Sequence, residues 1–171
     1  MTLANFVGEV ERQLIDAEVF FGHGTDSAFD EAAWLVMVAA GIDPSAEQVD
    51  WQQVLNYSQQ SAVKELAERR IKTRKPLAYL VNQTWFAGHE FYIDERAIIP
   101  RSHLGEWIPG RFEPWLGRTP VKAVLDLCTG SGCIAVAVAL AFPEAEVDAT
   151  DISTAALDVA AINIERHALG Q

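Results

Sequence analysis

Val121-Lys122-Ala123-Val124-Leu125-Asp126-Leu127-Cys128-Thr129-Gly130-Ser131-Gly132-Cys133 decides how the rest of the chain is read. A short apolar run (Val121, Ala123, Val124, Leu125) ends at Asp126, a turn follows at Thr129-Gly130-Ser131-Gly132, and a fresh apolar run opens at Ile134. That order predicts strand, tight turn and helix, the first half of a βαβ crossover. A chain that leaves a buried strand and enters a helix at once needs unusual φ values and close backbone approach to a ligand, which is why glycines stand there. Further on, Glu146-Val147-Asp148-Ala149-Thr150 predicts a second strand, followed by Asp151. Two strands therefore end near carboxylates that face one crevice.

Two ligands fit the spacing. Gly130-x-Gly132-x-x-Ala135 satisfies a dinucleotide fingerprint, and Asp151 lies about 20 residues on, where a ribose-binding acid is expected. Asp126 separates the two readings. It stands at the mouth of the turn, where a dinucleotide would put its pyrophosphate, and like charges at close range with partial desolvation repel by several kcal/mol. S-adenosylmethionine carries an ammonium and a sulfonium and no phosphate, so a carboxylate there favours it.

The run Leu125-Asp126-Leu127-Cys128-Thr129-Gly130-Ser131-Gly132-Cys133-Ile134-Ala135 resembles the adenosylmethionine motif of the HemK-type protein-glutamine N5-methyltransferases. Upstream blocks extend the likeness: Gly22-His23-Gly24-Thr25-Asp26, Pro76-Leu77-Ala78-Tyr79-Leu80, Trp85 through Arg96, and Ile99-Pro100-Arg101-Ser102 with Gly105-Glu106. These are similar to the PrmB branch, which acts on a large-subunit ribosomal protein. Release-factor-modifying relatives read Pro-Arg-Pro-acid-Thr-Glu where this chain has Pro100-Arg101-Ser102-His103-Leu104-Gly105-Glu106. The resemblance implies S-adenosylmethionine as cofactor, held by Asp126, Cys128, Thr129, Gly130, Gly132 and Asp151. Arg101 is a further candidate, pairing either with the cofactor carboxylate or with Glu106.

The implied fold class is α/β. Residues 1–100 form a mainly helical substrate-recognition domain with a β-hairpin at 83–93, residues 101–120 connect, and residues 121–171 begin a Rossmann-like methyltransferase domain. The family's Asn-Pro-Pro-Tyr motif, thought to hold the substrate amide, is absent from these 171 residues. An amide nitrogen is a poor nucleophile that must be positioned against the methyl donor, and no residue here matches that role. The expectation is therefore an N-terminal portion, inactive alone, with no catalytic residue assigned. Two other readings stay open: a nicotinamide-dependent oxidoreductase fragment, and a non-catalytic module that binds a ribosomal protein through residues 1–100.

Composition narrows the classes. Half of the 171 residues are hydrophobic and the net charge is −11, which argues against gripping bare nucleic acid, a task for clustered Lys and Arg. An acidic surface suits a basic protein partner through steering, or confers solubility alone. No long uncharged apolar run occurs, and Glu9 and Glu11 stand where a signal peptide needs basic residues. The expectation is a soluble, cytoplasmic protein. Cys128 and Cys133 have no His or Cys companion at metal-ligand spacing, so zinc is not expected and both read as small buried hydrophobes.

The first hundred residues read mostly as helices. Leu3, Phe6, Val7, Val10 and Leu14 predict a first helix ending near Gly22; Ser27 with Asp30 caps a second, Phe29 to Ala40; Ser45 with Gln48 opens a short third; Ser61 to Lys72 makes a fourth. Arg69 through Lys75 is the one basic cluster, either a contact for ribosomal RNA or cations favoured at a helix C-terminus. After Pro76 the character turns to β, with Gln83–Phe86 and Glu90–Ile93 flanking Ala87-Gly88-His89. His23 and His89 sit beside glycines with no nucleophile or paired acid nearby. A helix is expected from about Leu104 to Leu116, interrupted or restarted at Pro109-Gly110, Arg118-Thr119-Pro120 forms the boundary before the glycine-turn strand, and helices follow at Ile134–Phe142 and from Thr154 to about Ala168 with Leu157, Ala160, Ala161 and Ile164 inward.

Overall fold

A computed structural model describes residues 1–117 and 119–169. The chain is α/β and divides into two compact units, Met1–Val81 and Asn82–Gln171. Among the described residues no helix is long and apolar enough to cross a membrane.

The first unit is helical. α1 (Leu3–Asp16) starts where the Thr2 hydroxyl accepts the Asn5 N–H, and it buries Leu3, Phe6, Val7, Val10 and Leu14 at the 3–4 spacing visible in the sequence. It stops at Asp16, short of Gly22, because Glu18 takes a positive φ and the chain leaves the helical path there. α2 (Ala28–Ala39) is capped by Ser27, whose hydroxyl accepts the Asp30 N–H, and it ends ahead of Gly41 at φ +73°. The helix expected at Ser45 does not form. Ser45 instead gives both its N–H and its hydroxyl to Asp43 Oδ1, an Asx-type turn that competes with helix initiation. α3 (Tyr57–Thr73) begins earlier than Ser61, on a capping box in which Asn56 and Gln59 satisfy each other's backbone N–H. A short α4 (Leu77–Val81) follows Pro76 before any strand appears.

The basic run at the end of α3 is not one solvated patch. Arg70 is buried and ion-paired to buried Glu31 of α2 at 2.6 Å, and it also donates to the Phe20 carbonyl. Thr25 adds a hydroxyl bond to Glu31, so the loop between α1 and α2 is fastened at both ends to one buried charge pair. Arg74 closes the helix in the left-handed region and donates to the Ala17 carbonyl. Tertiary partners, not local helix-end chemistry, account for these two cations.

The second unit opens with a hairpin, β1 (Thr84–Phe86) antiparallel to β2 (His89–Phe91), joined at Ala87-Gly88 with φ of +51° and +82°. Two successive positive φ values match the twist of the flanking strands. Its inward aromatics Phe86 and Phe91 pack with Ile108, Cys133, Val136 and Phe142, so the hairpin belongs by compactness to the second unit. The helix expected from Leu104 to Leu116 reduces to a single turn, α5 (Leu104–Trp107), after which Arg111 and Phe112 take positive φ. Arg118 of the expected boundary lies outside the described residues.

β3 (Ala123–Leu127), α6 (Cys133–Ala141) and β4 (Glu146–Thr150) make a parallel crossover, with Leu125 opposite Asp148 and Leu127 opposite Thr150. α7 (Thr154–Arg166) follows, capped by Ser153. One face of β3, with Val124 and Asp126, is half-buried; Leu125 and Leu127 on the other are exposed. Along the same strand an apolar groove of about 730 Å³ is bordered by Trp107, Trp115, Leu125 and Phe142, with Asp126 its one charged residue.

Candidate cofactor-binding site

β3 continues through Leu127, so Asp126 lies inside the strand, opposite Ala149, one residue further from the turn than a terminal acid would be. The alternation of the strand directs Asp126 to the same face as Val124, beneath the start of α6. There its Oδ2 accepts the Thr129 hydroxyl at 2.6 Å and the Ala135 N–H at 3.2 Å. Ala135 is the third residue of α6, the position whose N–H a capping side chain normally takes. Gly132, the residue at the cap, has no side chain to offer. The strand acid therefore caps the helix that follows it, and its negative charge sits at the positive end of the helix dipole.

Asp151, just past β4, does the matching task from the other strand. Its Oδ2 accepts the Gly130 N–H at 2.9 Å and its Oδ1 accepts the Ser153 N–H at 2.9 Å. These bonds, the Ser153 one foremost, hold its carboxyl below the ordinary 3.8. The ladder also runs one step past the strands, with the Thr129 N–H on the Thr150 carbonyl at 2.9 Å. Two carboxylates thus bracket one turn, and one turn amide, Gly130, and one amide of the first turn of α6, Ala135, are already committed to them. Each Asp151 oxygen has a second lone pair for a hydroxyl donor, and both bonds to Asp126 fall on one oxygen, so Oδ1 carries neither.

The glycines divide the work. Both have positive φ, +58° at Gly130 and +78° at Gly132. A Cβ on Gly130 would meet nothing within 4 Å, whereas one on Gly132 would stand 3.0 Å from the Ala160 Cβ and 3.2 Å from its Cα. Gly130 thus faces open space. Gly132 admits close approach of α7.

One of the two cysteines departs from expectation. Cys133 is buried, and that burial pushes its thiol up to about 11, but Cys128 is exposed and takes φ +62°. The strand has ended by that point and the chain reverses under a residue that is not glycine. Among the described residues no group of His, Cys, Asp and Glu could hold a metal ion. Thr129 is buried under the turn. Arg101 is exposed and forms no pair with Glu106, which lies 3.5 Å from His103 Nδ1 instead. His89 packs edge-on to His167, with no nucleophile beside it.

One buried polar residue was not foreseen. α7 turns inward Ala156, Val159, Ala160 and Asn163, a face shifted from the expected Leu157, Ala160, Ala161 and Ile164, with Ala160 common to both. Asn163 is fully buried and bonds the turn directly, donating from Nδ2 to the Ser131 carbonyl at 2.9 Å. The spacing 156, 159, 160, 163 carried the signal, masked because the fourth member is polar.

Known proteins agree with this division. A model of the methyltransferase small domain matches residues 115–170, and one of the PrmC N-terminal domain matches residues 14–81. The "Ribosomal protein uL3 glutamine methyltransferase" of Bordetella pertussis is 41% identical over 170 residues, 98% of this chain and 57% of that protein. Its namesake in Burkholderia pseudomallei is 41% identical over 171 residues, 99% of this chain and 56% of that protein. The chain thus spans a little over half the length of these curated relatives. Helical unit and glycine-turn unit are each matched in order, and over nearly its whole length the chain is similar to these protein-glutamine methyltransferases.

Proposed function

We propose that the glycine turn binds S-adenosylmethionine through Asp126, Cys128, Thr129, Gly130, Gly132 and Asp151, within a Rossmann-like methyltransferase domain. In the whole protein that site serves N5-methylation of a glutamine side chain in a large-subunit ribosomal protein. The observation that carries the reading is the bracketing of one turn by two carboxylates, with the Gly130 and Ala135 amides already satisfied by them. A pyrophosphate needs those amides and no nearby anion. A cationic methyl donor needs the reverse. The relatives' names supply the acceptor class: a glutamine of the ribosomal protein uL3.

When bound, the cofactor supplies an electrophilic methyl group. This chain's contribution is electrostatic and positional. Asp126 presents negative charge toward the donor's cationic end, Asp151 offers a lone pair to a ribose hydroxyl, and the open side of Gly130 lets the backbone come close. Thr129 fixes the Asp126 carboxylate by its hydroxyl bond. Arg101 is assigned to the cofactor carboxylate from outside the turn. The helical unit, residues 1–81, is the natural candidate for recognising the protein acceptor, with the net charge of −11 favouring a basic partner.

Calorimetric titration of S-adenosylhomocysteine and of NAD into the chain tests the reading. Homocysteine-form binding that weakens about ten-fold in Asp126→Asn, with no NAD heat, is the expected result; the substitution keeps the acceptor atom and removes the charge. NAD binding more tightly than adenosylhomocysteine would reverse the assignment.

A further inference from the structure

Asn163 is fully buried on α7 and spends its side-chain amide on two distant stretches of backbone. Nδ2 donates to the Ser131 carbonyl at 2.9 Å and to the Tyr92 carbonyl at 3.0 Å, while Oδ1 accepts the Tyr92 N–H at 2.7 Å. Ser131 lies between the two glycines of the turn. Tyr92 is the residue after β2, at the head of a segment stiffened by its own polar network: the Tyr92 hydroxyl donates to Asp94 Oδ2 at 2.8 Å, and Arg96 forks onto the same carboxylate at 2.7–3.0 Å. One amide therefore pins the turn to the segment that leads from the hairpin toward Arg101.

We propose that Asn163 is a positioning residue for the cofactor site, holding the glycine turn in register with residues 92–96 so that both present one preformed surface to the ligand. It touches no ligand itself. The inference rests on the reading of the turn as a cofactor site. Asparagine suits the task because a planar amide carries two donors and an acceptor in fixed directions, and backbone carbonyls and N–H groups buried around it would otherwise be left unpaired. An aspartate of the same shape would turn an anion toward two carbonyl oxygens. A purely apolar residue would hold α7 by packing alone and leave the turn free to drift, and small displacements at a binding turn cost affinity out of proportion to their size.

The test compares Asn163→Asp and Asn163→Ser with a packing control on the same buried face, Val159→Ala. Adenosylhomocysteine affinity, thermal midpoint and backbone amide exchange are measured on each. Both Asn163 variants are expected to lose about ten-fold or more in affinity, the scale of one buried bond left unmade, while Val159→Ala stays within about three-fold even where its midpoint falls as far. The Gly132 and Tyr92 amides should lose protection together in Asn163→Ser and remain protected in Val159→Ala. Affinity that follows the midpoint equally in all three variants, or amides that respond independently, overturns the proposal. Absence of binding in the unsubstituted chain would remove the cofactor reading, and paired or unpaired exchange at Gly132 and Tyr92 would still decide whether Asn163 ties the two segments. Should Asn163→Asp fail to fold, Asn163→Ser carries the comparison, since its hydroxyl keeps a small polar group in place.

Discussion

The two glycines of the turn look interchangeable in the sequence, but their surroundings set different consequences for the same substitution. Gly132→Ala meets both a left-handed φ and the backbone of Ala160, and should cost about 3 kcal/mol, the sum of conformational strain and overpacking. Gly130→Ala meets strain alone and should cost about 1–2 kcal/mol, while its effect on cofactor affinity is the larger of the two. Urea unfolding followed by adenosylhomocysteine titration separates the pair; equal stability losses would contradict the assignment of roles. Titration behaviour belongs to the residue scale as well. Asp151 is held below its ordinary value by backbone bonds, and Asp94 is lowered to about 2, chiefly by the Arg96 side chain. Folded values below unfolded ones mean stability that is present above about pH 4 and drains away as pH falls through the folded values toward 2. Thermal midpoints between pH 5 and pH 2 should therefore fall, and Asp94→Asn should flatten part of that slope.

At the scale of elements, the buried Arg70–Glu31 pair joins α2 to α3 and ties down the loop between α1 and α2 through Phe20 and Thr25. Removing one partner leaves the other charged and buried, so Arg70→Ala or Glu31→Ala should each cost about 3–5 kcal/mol, while replacing both with apolar residues of similar volume should recover most of that. Midpoints of the two singles and the double decide it, and additive losses would show that the charges act separately. Much of the element pattern was legible beforehand. The five apolar residues of α1, the Ser27 cap, the Ala87-Gly88 turn and the parallel crossover each rest on local spacing or turn chemistry that sequence displays. The failures are tertiary or competitive. Ser45 bonds back to Asp43 in place of capping a helix, the run after Trp107 is diverted by positive φ at Arg111 and Phe112, and Arg70 vanishes into the interior because a partner 39 positions away is waiting there. In the site, the acids and glycines were visible, but Asp126 as a helix cap and Asn163 as a bridge were not, since both depend on which residues meet after folding.

On the scale of the whole molecule, each unit carries its own core, and the second leaves apolar surface uncovered. Leu125 and Leu127 are 56% and 67% exposed on the outer face of β3, beside the apolar groove along that strand. A sheet of parallel strands ordinarily has both faces covered, and open strand edges invite association. Concentration-dependent association is the expected behaviour of this chain, and Leu127→Lys should reduce it without lowering the thermal midpoint; analytical ultracentrifugation of both forms is the measurement, and a monomer at every concentration would refute it. Amide exchange should likewise be faster across Val147–Ile164 than in α1 and α2, which pack on each other and on α3.

The contact between Gly132 and Ala160 reaches beyond either position. Because a Cβ on Gly132 would stand 3.0 Å from the Ala160 Cβ and 3.2 Å from its Cα, the two sites share one small volume. A carbon gained at 132 is therefore offset, for the packing part of its cost, by losing one at 160, while the left-handed backbone at 132 keeps its own penalty.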